Sequence, residues 1–287
     1  CLYAQNSNKN PDFKTIKDLL NQVDDVDVPL EERLKLAQSA VSLAEKTKND
    51  SVILHANRGL SFVYLHLGKF EDFKDINHKN LWLSERLKDS LALAITNQNL
   101  GFYHHINTVN DSAFYYYSNA SELYDKINNI MGLGEVLMSI AGIQELQKDY
   151  LGSEENAIRA IELIRQLPEN DNNNYSLWLL NNSLGGIYLK LKSFKKSYDY
   201  YQKALSYAEK IDNAQIAMLS TKNSIAFLHK EKGDVKEALH LYEEVLNTKD
   251  FYHIDPGFYA LVLDNVTYTK FLLGNYNKNE LEAAFQR

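Results

Sequence analysis

The sequence predicts an all-α fold, a solenoid of antiparallel helix pairs with about six and a half units of roughly 40 residues each. Three observations predict it. Glycine and proline are scarce, 12 and 4 in 287 residues. That is too few for the turns of an all-β chain or for the phosphate loops and helix ends of an α/β one. A large apolar anchor recurs at Leu20, Leu60, Leu100, Ile140, Leu184, Ile225 and Val266, at intervals of 40, 40, 40, 44, 41 and 41 residues. After each anchor comes a second amphipathic stretch, clearest at Ser197, Tyr201, Ala204 and Leu205, and again at Ala238, Tyr242, Val245 and Leu246.

Each unit reads as two helices joined by a tight turn. The residue after the anchor is mostly small (Ser61, Gly101, Ala141, Gly185, Ala226, Thr267), which lets the second helix of the same unit approach closely. Eight residues after the anchor comes the turn, where Gly68, Gly233 and Gly274 fall; glycine takes the positive φ that ends a helix without steric cost. An apolar residue follows two positions later at Leu30, Phe70, Tyr150, Phe194, Val235 and Tyr276. Twenty residues after the anchor, Ala40, Ala120, Ala160 and Ala204 stand where neighbouring helices cross. On this frame residues 1–10 are a leader and 11–287 one solenoid, with units at 12–50, 52–90, 92–130, 132–168, 175–212, 215–250 and an incomplete 257–287. Pro11 and Pro29 fall at helix starts, where no backbone donor is lost. Pro168 and Pro256 fall in linkers, and Pro168 to Asn174 read as a polar loop, the largest insertion.

This order of small, aromatic, glycine and alanine positions resembles the tetratricopeptide repeat (TPR), along nearly the whole chain from Asp12. Units five and six match best. Units one and two are degenerate, with Asn21 and Asp24 at positions usually small and aromatic. A period near 40 against the family's usual 34 implies longer helices or linkers. The resemblance implies a right-handed superhelix whose first helices line a concave groove. The family's groove positions fall here on His55, Arg58, Phe62 and His66; on Gln98, Asn99, Phe102 and His105; and on Glu135, Met138, Ser139 and Glu145. In the later units they fall on Asn182, Ser183 and Lys190; on Asn223, Phe227 and Lys230; and on Asp264, Asn265, Tyr268 and Phe271.

Asn99, Asn182, Asn223 and Asn265 suggest a carboxamide ladder, able to pair with the amides of an extended peptide whatever its sequence. Phe62, Phe102, Phe227, Tyr268 and Phe271 interleave with it, as a wall for apolar side chains would. The candidate ligand-binding residues are therefore Arg58, Phe62, Asn99, Phe102, Asn182, Asn223, Phe227, Asn265 and Tyr268. The alternative is compositional, since TPR grooves often carry Asn and this chain has 29. The carboxylate clamp of chaperone-binding TPRs is not matched, because Gly59 stands where one Asn should be.

Composition narrows the function classes. The chain carries 31 Lys plus Arg against 38 Asp plus Glu, a net charge of −7, with no basic cluster for nucleic acid. No run of about 18 apolar residues could span a membrane. A single cysteine excludes an internal disulfide and any multi-cysteine zinc site. His104 and His105 point about 100° apart on a helix, so they cannot chelate one ion together, and His104 reads as a packed core histidine. Tyr115 to Tyr117, and Tyr198, Tyr200 and Tyr201, look like aromatic boxes, but Tyr117 and Tyr201 fall on the core-facing position of the second helix, where packing with a hydrogen-bonded hydroxyl is the expected role. Asp24, Asp25 and Asp27 lack the Gly and closing Glu of a calcium loop. No phosphate loop, nucleophile elbow or HExxH occurs, so neither cofactor, metal nor catalytic residue is expected.

Cys1 to Gln5 resemble the end of a secretory signal peptide cut after Ala4; a lipidated Cys1, or a boundary without meaning, are the other readings. Ala283 to Arg287 continue a helical pattern without a cap. Together these features resemble the extracytoplasmic TPR sensor regions of bacterial membrane histidine kinases and transcription regulators. The resemblance implies a non-catalytic module that binds a protein or extended peptide and passes the change to a downstream transmembrane and output domain. A free-standing periplasmic or lipid-anchored scaffold, or a cytoplasmic peptide-pheromone receptor, are the alternatives. Nucleic acid is not expected as a partner, nor is membrane contact by residues 1–287 themselves.

Overall fold

The computed structural model describes residues 11–275, and the expectations placed on Cys1 to Gln5, Tyr276 and Ala283 to Arg287 lie outside them. Among the described residues there are fourteen helices and no strand. The first units supply α1 (Pro11–Asp24), α2 (Leu30–Lys46), α3 (Asp50–His66), α4 (Phe70–Leu87), α5 (Ser90–Ile106), α6 (Asn110–Lys126) and α7 (Ile130–Leu146). There follow α8 (Tyr150–Ile164), α9 (Asp171–Lys190), α10 (Phe194–Ala208), α11 (Gln215–Lys232), α12 (Val235–Leu246), the single turn α13 (Phe251–Ile254) and α14 (Pro256–Leu272). The chain divides into two compact units, Cys1–Ile143 and Gln144–Arg287, each a stack of helices with sequence neighbours side by side.

The predicted frame positions these helices. All seven anchors are buried, none more than 6% exposed. Ala40, Ala120, Ala160 and Ala204 have no exposed surface, as helix crossings require. In the first unit, Ile16 and Leu20 of α1 meet Ala40 and Ala44 of α2 and Val52 and Ala56 of α3. In the second, Leu189, Tyr201, Ile225 and Leu228 join α9, α10 and α11. Ala226 of α11, Ala238 and Tyr242 of α12 and Val266 of α14 make one cluster, and Leu219, Val245 and Val262 make another. Rising positions on α11 (Leu219, then Ala226) thus meet falling ones on α12 (Val245, then Tyr242 and Ala238) and rising ones on α14 (Val262, then Val266). The helices α11 and α14 therefore run parallel, with α12 antiparallel between them.

The turn eight residues after the anchor is left-handed in every unit from the second onward. Gly68, Gly233 and Gly274 have φ of 66°, 97° and 73°, and the same position is held by Thr108, Lys148 and Lys192 at 58°, 64° and 58°. The residue two positions on opens the second helix at Leu30, Phe70, Tyr150, Phe194 and Val235. Caps on the first helices also recur. Asn49, Asp89, Asn129 and Asp255, each eleven residues before an anchor, accept backbone N–H groups of the first turn.

Two expectations are corrected. Pro256 does not lie in a linker; it sits at the start of α14 behind the capping Asp255, where its fixed φ suits a helix start. The polar insertion is a loop only to Asn170. The Asn170 side chain caps Asn173 N–H at 2.8 Å, so Asp171 to Asn174 already form the first turn of α9.

Candidate functional site

In the first unit α3 and α5 carry four of the candidate residues. A spacing of four places Arg58 and Phe62 on one face of α3. Both border a cavity of about 340 Å³ with Leu20, His55, Phe73 and Asn99. Phe62 is 42% exposed, with the Arg33 guanidinium 5.3 Å above its ring and the His66 ring 4.0 Å away. Burial, together with the Arg58 charge, lowers the His55 pKa, and Asp24 acts in the opposite direction. Phe102 is half-buried and meets Phe73 edge-on at 6.4 Å.

Asn99 is committed to its own protein. Its Nδ2 donates to Asn77 Oδ1 at 3.0 Å, and Asn77 Nδ2 donates to Ser61 Oγ at 2.8 Å and to Phe73 O at 2.7 Å. Asn77 is fully buried on α4, seventeen residues after its anchor, where the units of α6, α10 and α12 carry Tyr117, Tyr201 and Tyr242. Gln98 is engaged as well, donating to Glu135 at 3.1 Å and accepting from Tyr124 at 2.6 Å. His104 stacks on Tyr116 at 5.3 Å, and burial, then the His78 and Lys74 charges, lowers its pKa.

In the second unit Asn223, Phe227 and Lys230 lie four and three residues apart on α11, hence on one face; Asn265 and Tyr268 do the same on α14. Asn265 Nδ2 donates to Asn223 Oδ1 at 3.1 Å. The pair keeps both amide hydrogens of Asn223 and the carbonyl of Asn265, so it can still donate and accept. Phe227 and Tyr268 are 38% and 50% exposed. The Lys230 ammonium lies 4.3 Å from the Phe227 ring centre and 5.3 Å from that of Tyr268. Tyr268 also stacks on Phe271 at 6.5 Å. On α9, Asn182 is half-buried with its Oδ1 enclosed and unpartnered among the described residues. Glu145 accepts from Ser183 at 2.5 Å and pairs with Lys190 at 3.2 Å.

The candidate residues thus sort into different settings. Asn223, Phe227, Asn265 and Tyr268 form one open surface, Arg58, Phe62 and Asn99 border a cavity, and Asn99 is tied down within it. Sequence reasoning named Lys230 as a groove position without singling it out, and it missed Asn77. Spacing gives Lys230 the face of Phe227, whereas Asn77 carries no signal beyond a polar residue in a tyrosine register. The surface offers carboxamides, rings and a cation, which are groups that bind. Among the described residues no group of three His, Cys, Asp or Glu could hold a metal, and no helix is long and apolar enough to cross a membrane.

Comparisons with known proteins bear on the fold. A model of the tetratricopeptide repeat family matches residues 175–250, the stretch from α9 through α12. No curated protein matches the sequence. A signal transduction ATPase with numerous domains and a TPR sensor, from Pyrococcus horikoshii, superposes with a TM-score of 0.72 at 16% identity; the match covers 96% of this chain and 41% of that one. Aspartyl phosphate phosphatase F from Bacillus subtilis gives 0.60 at 15% identity, covering 96% and 67%. NprR in complex with its cognate peptide NprX gives 0.54 at 12% identity, covering 95% and 76%. Residues 175–250 match the tetratricopeptide repeat model, and the chain has the all-α fold of TPR-type solenoids.

Proposed function

We propose that the chain is a protein- or peptide-binding module that serves as the sensing region of a bacterial signal-transduction protein. The observation that carries this reading is the Asn223–Asn265 carboxamide pair beside the exposed Phe227 and Tyr268 rings. Such a surface can pair with a peptide backbone and receive its apolar side chains without any catalytic group. The TPR sensor of the signal transduction ATPase and the peptide complex of NprR support the same use of this fold here. A bound partner would favour one arrangement of the helix stack, and that population shift would bias a downstream output domain.

Amide hydrogen exchange tests the reading. A pooled hexapeptide library is expected to slow exchange in α11 and α14 of the wild-type chain but not of F227A. Unchanged exchange in both would overturn it. Because the fold also occurs in an aspartyl phosphate phosphatase, turnover is tested directly with acetyl phosphate. Hydrolysis above background that F227A or N265A abolishes would replace binding by catalysis.

The proposal extends to location: the module acts outside the cytoplasm, exported by a signal ending near Ala4 and followed by a membrane anchor. The alternative is a free-standing scaffold or a cytoplasmic receptor. A phosphatase reporter active only outside the cytoplasm, fused after Arg287 of the natural gene product, is expected to be active when no anchor intervenes. An inactive reporter beside an active cytoplasmic one would sink the location without touching the binding reading.

A further inference from the structure

We propose that the open face of α11 and α14 selects an acidic peptide segment, with a side-chain carboxylate held on the Lys230 ammonium. The proposal rests on the peptide-binding reading above and names the chemistry of the peptide. Since α11 and α14 run parallel, their exposed side chains fall into successive rows. Asn223 pairs with Asn265 in the first row, and Phe227 and Tyr268 share the Lys230 ammonium between them in the second.

Two rings flank that ammonium, which fixes its place through cation–π attraction while leaving its N–H donors available. Among the described residues Lys230 makes no ion pair. The neighbouring charges are already matched: Lys270 with Glu243 at 3.1 Å, Lys232 with Asp234 at 2.8 Å and Lys192 with Glu231 at 3.3 Å. His229 Nδ1 lies 3.5 Å from the same Asp234. Asp264, beside the carboxamide row, has one enclosed oxygen without a hydrogen bond. The face is therefore polarised, with its carboxylate at the carboxamide end and its positive charge at the other.

Asn223 and Lys230 are seven residues apart, about 10 Å along the helix at ~1.5 Å per residue. An extended peptide covers that span in about three residues. A segment whose backbone amide meets the carboxamide pair would thus set a large apolar side chain against Phe227 and Tyr268, and an Asp or Glu one or two positions further on against Lys230.

The test is selection from a hexapeptide library, acetylated and amidated so that only side chains carry charge, on the immobilised 287-residue chain. On wild type, Asp and Glu are expected to be enriched about fivefold over Asn and Gln, one or two positions from a large apolar residue. K230M is expected to lose that enrichment, and K230E to replace it with Lys and Arg, an inversion that a structural role for Lys230 would not produce. If selection for apolar residues is abolished by F227A but acids are not enriched, or K230E leaves the preference unchanged, the inference is overturned while the peptide face stands. If nothing selected depends on Phe227, both fall. Circular dichroism of each variant establishes that it is folded.

Discussion

Gly185 on α9 faces the Tyr201 ring on α10 so closely that a Cβ on the glycine would lie 2.5 Å from the ring carbons. Tyr201 is 3% exposed, so the ring has nowhere to move. Alanine in a helix gains about 1 kcal/mol over glycine, but overpacking a rigid aromatic costs about 1–3 kcal/mol. The packing cost is expected to win. G185A should lose up to about 2 kcal/mol in urea unfolding, and G101A, whose Cβ would sit 2.7 Å from Tyr117, should follow it. A G185A/Y201L double variant should recover part of the loss, because leucine can yield where the ring cannot.

The left-handed turns give the opposite sign. Thr108 holds a φ of 58°, a conformation that costs a β-branched residue of order 1 kcal/mol or more. T108G is therefore expected to raise the unfolding free energy by about 0.5–1 kcal/mol, and G233A, at a φ of 97°, to lower it by a similar amount. Differential scanning calorimetry of the two variants checks both signs.

These turns also mark the limit of what the sequence made legible. Leu60 and Ile225 declared the repeat through spacing, and Gly68 and Gly233 declared its turns. Thr108, Lys148 and Lys192 fill the same conformation without announcing it, because a left-handed lysine or threonine has no compositional signature. The capping row of Asn49, Asp89, Asn129 and Asp255 is legible too, as an Asn or Asp at a constant distance before four of the anchors. Where two faces meet, sequence spacing is silent. Nothing in the chain order of Asn99 says that its amide is spent on a buried asparagine of α4. Its setting differs from that of Asn265 although both stand one residue before an anchor.

Alkaline pH should unfold the chain through its buried tyrosines. Burial pushes the hydroxyls of Tyr117 and Tyr201 up to about 12, with serine hydrogen bonds opposing it; burial and the Glu135 charge push Tyr124 up to about 12. An unfolded tyrosine ionises near pH 10. Between pH 10 and 12 the folded state therefore binds more protons than the unfolded one, and stability falls as pH rises. Each such tyrosine contributes a loss of about 1.4 kcal/mol by pH 11. Tyrosinate absorbance is expected to appear together with loss of helical ellipticity. Y201F should shrink the pH-dependent part of the loss; an unchanged slope would remove Tyr201 from the account.

Asn99 and Asn265 answer to different measurements. Removing the Asn99 amide leaves Asn77 Oδ1 unpaired inside a fully buried side chain, at a cost of about 1–3 kcal/mol. Removing the Asn265 amide exposes Asn223 Oδ1 on a half-open surface where water can replace it, so the expected change is within about 0.5 kcal/mol. N99A should therefore lower the urea midpoint, and N265A should leave it in place. Peptide binding separates them in the other direction. N265A removes a donor and an acceptor from the proposed backbone-pairing row, so enrichment of hexapeptides should drop while the fold stays intact. Equal stability losses in the two variants would mean that the Asn223–Asn265 pair, like Asn99, is packing and not a place for a ligand.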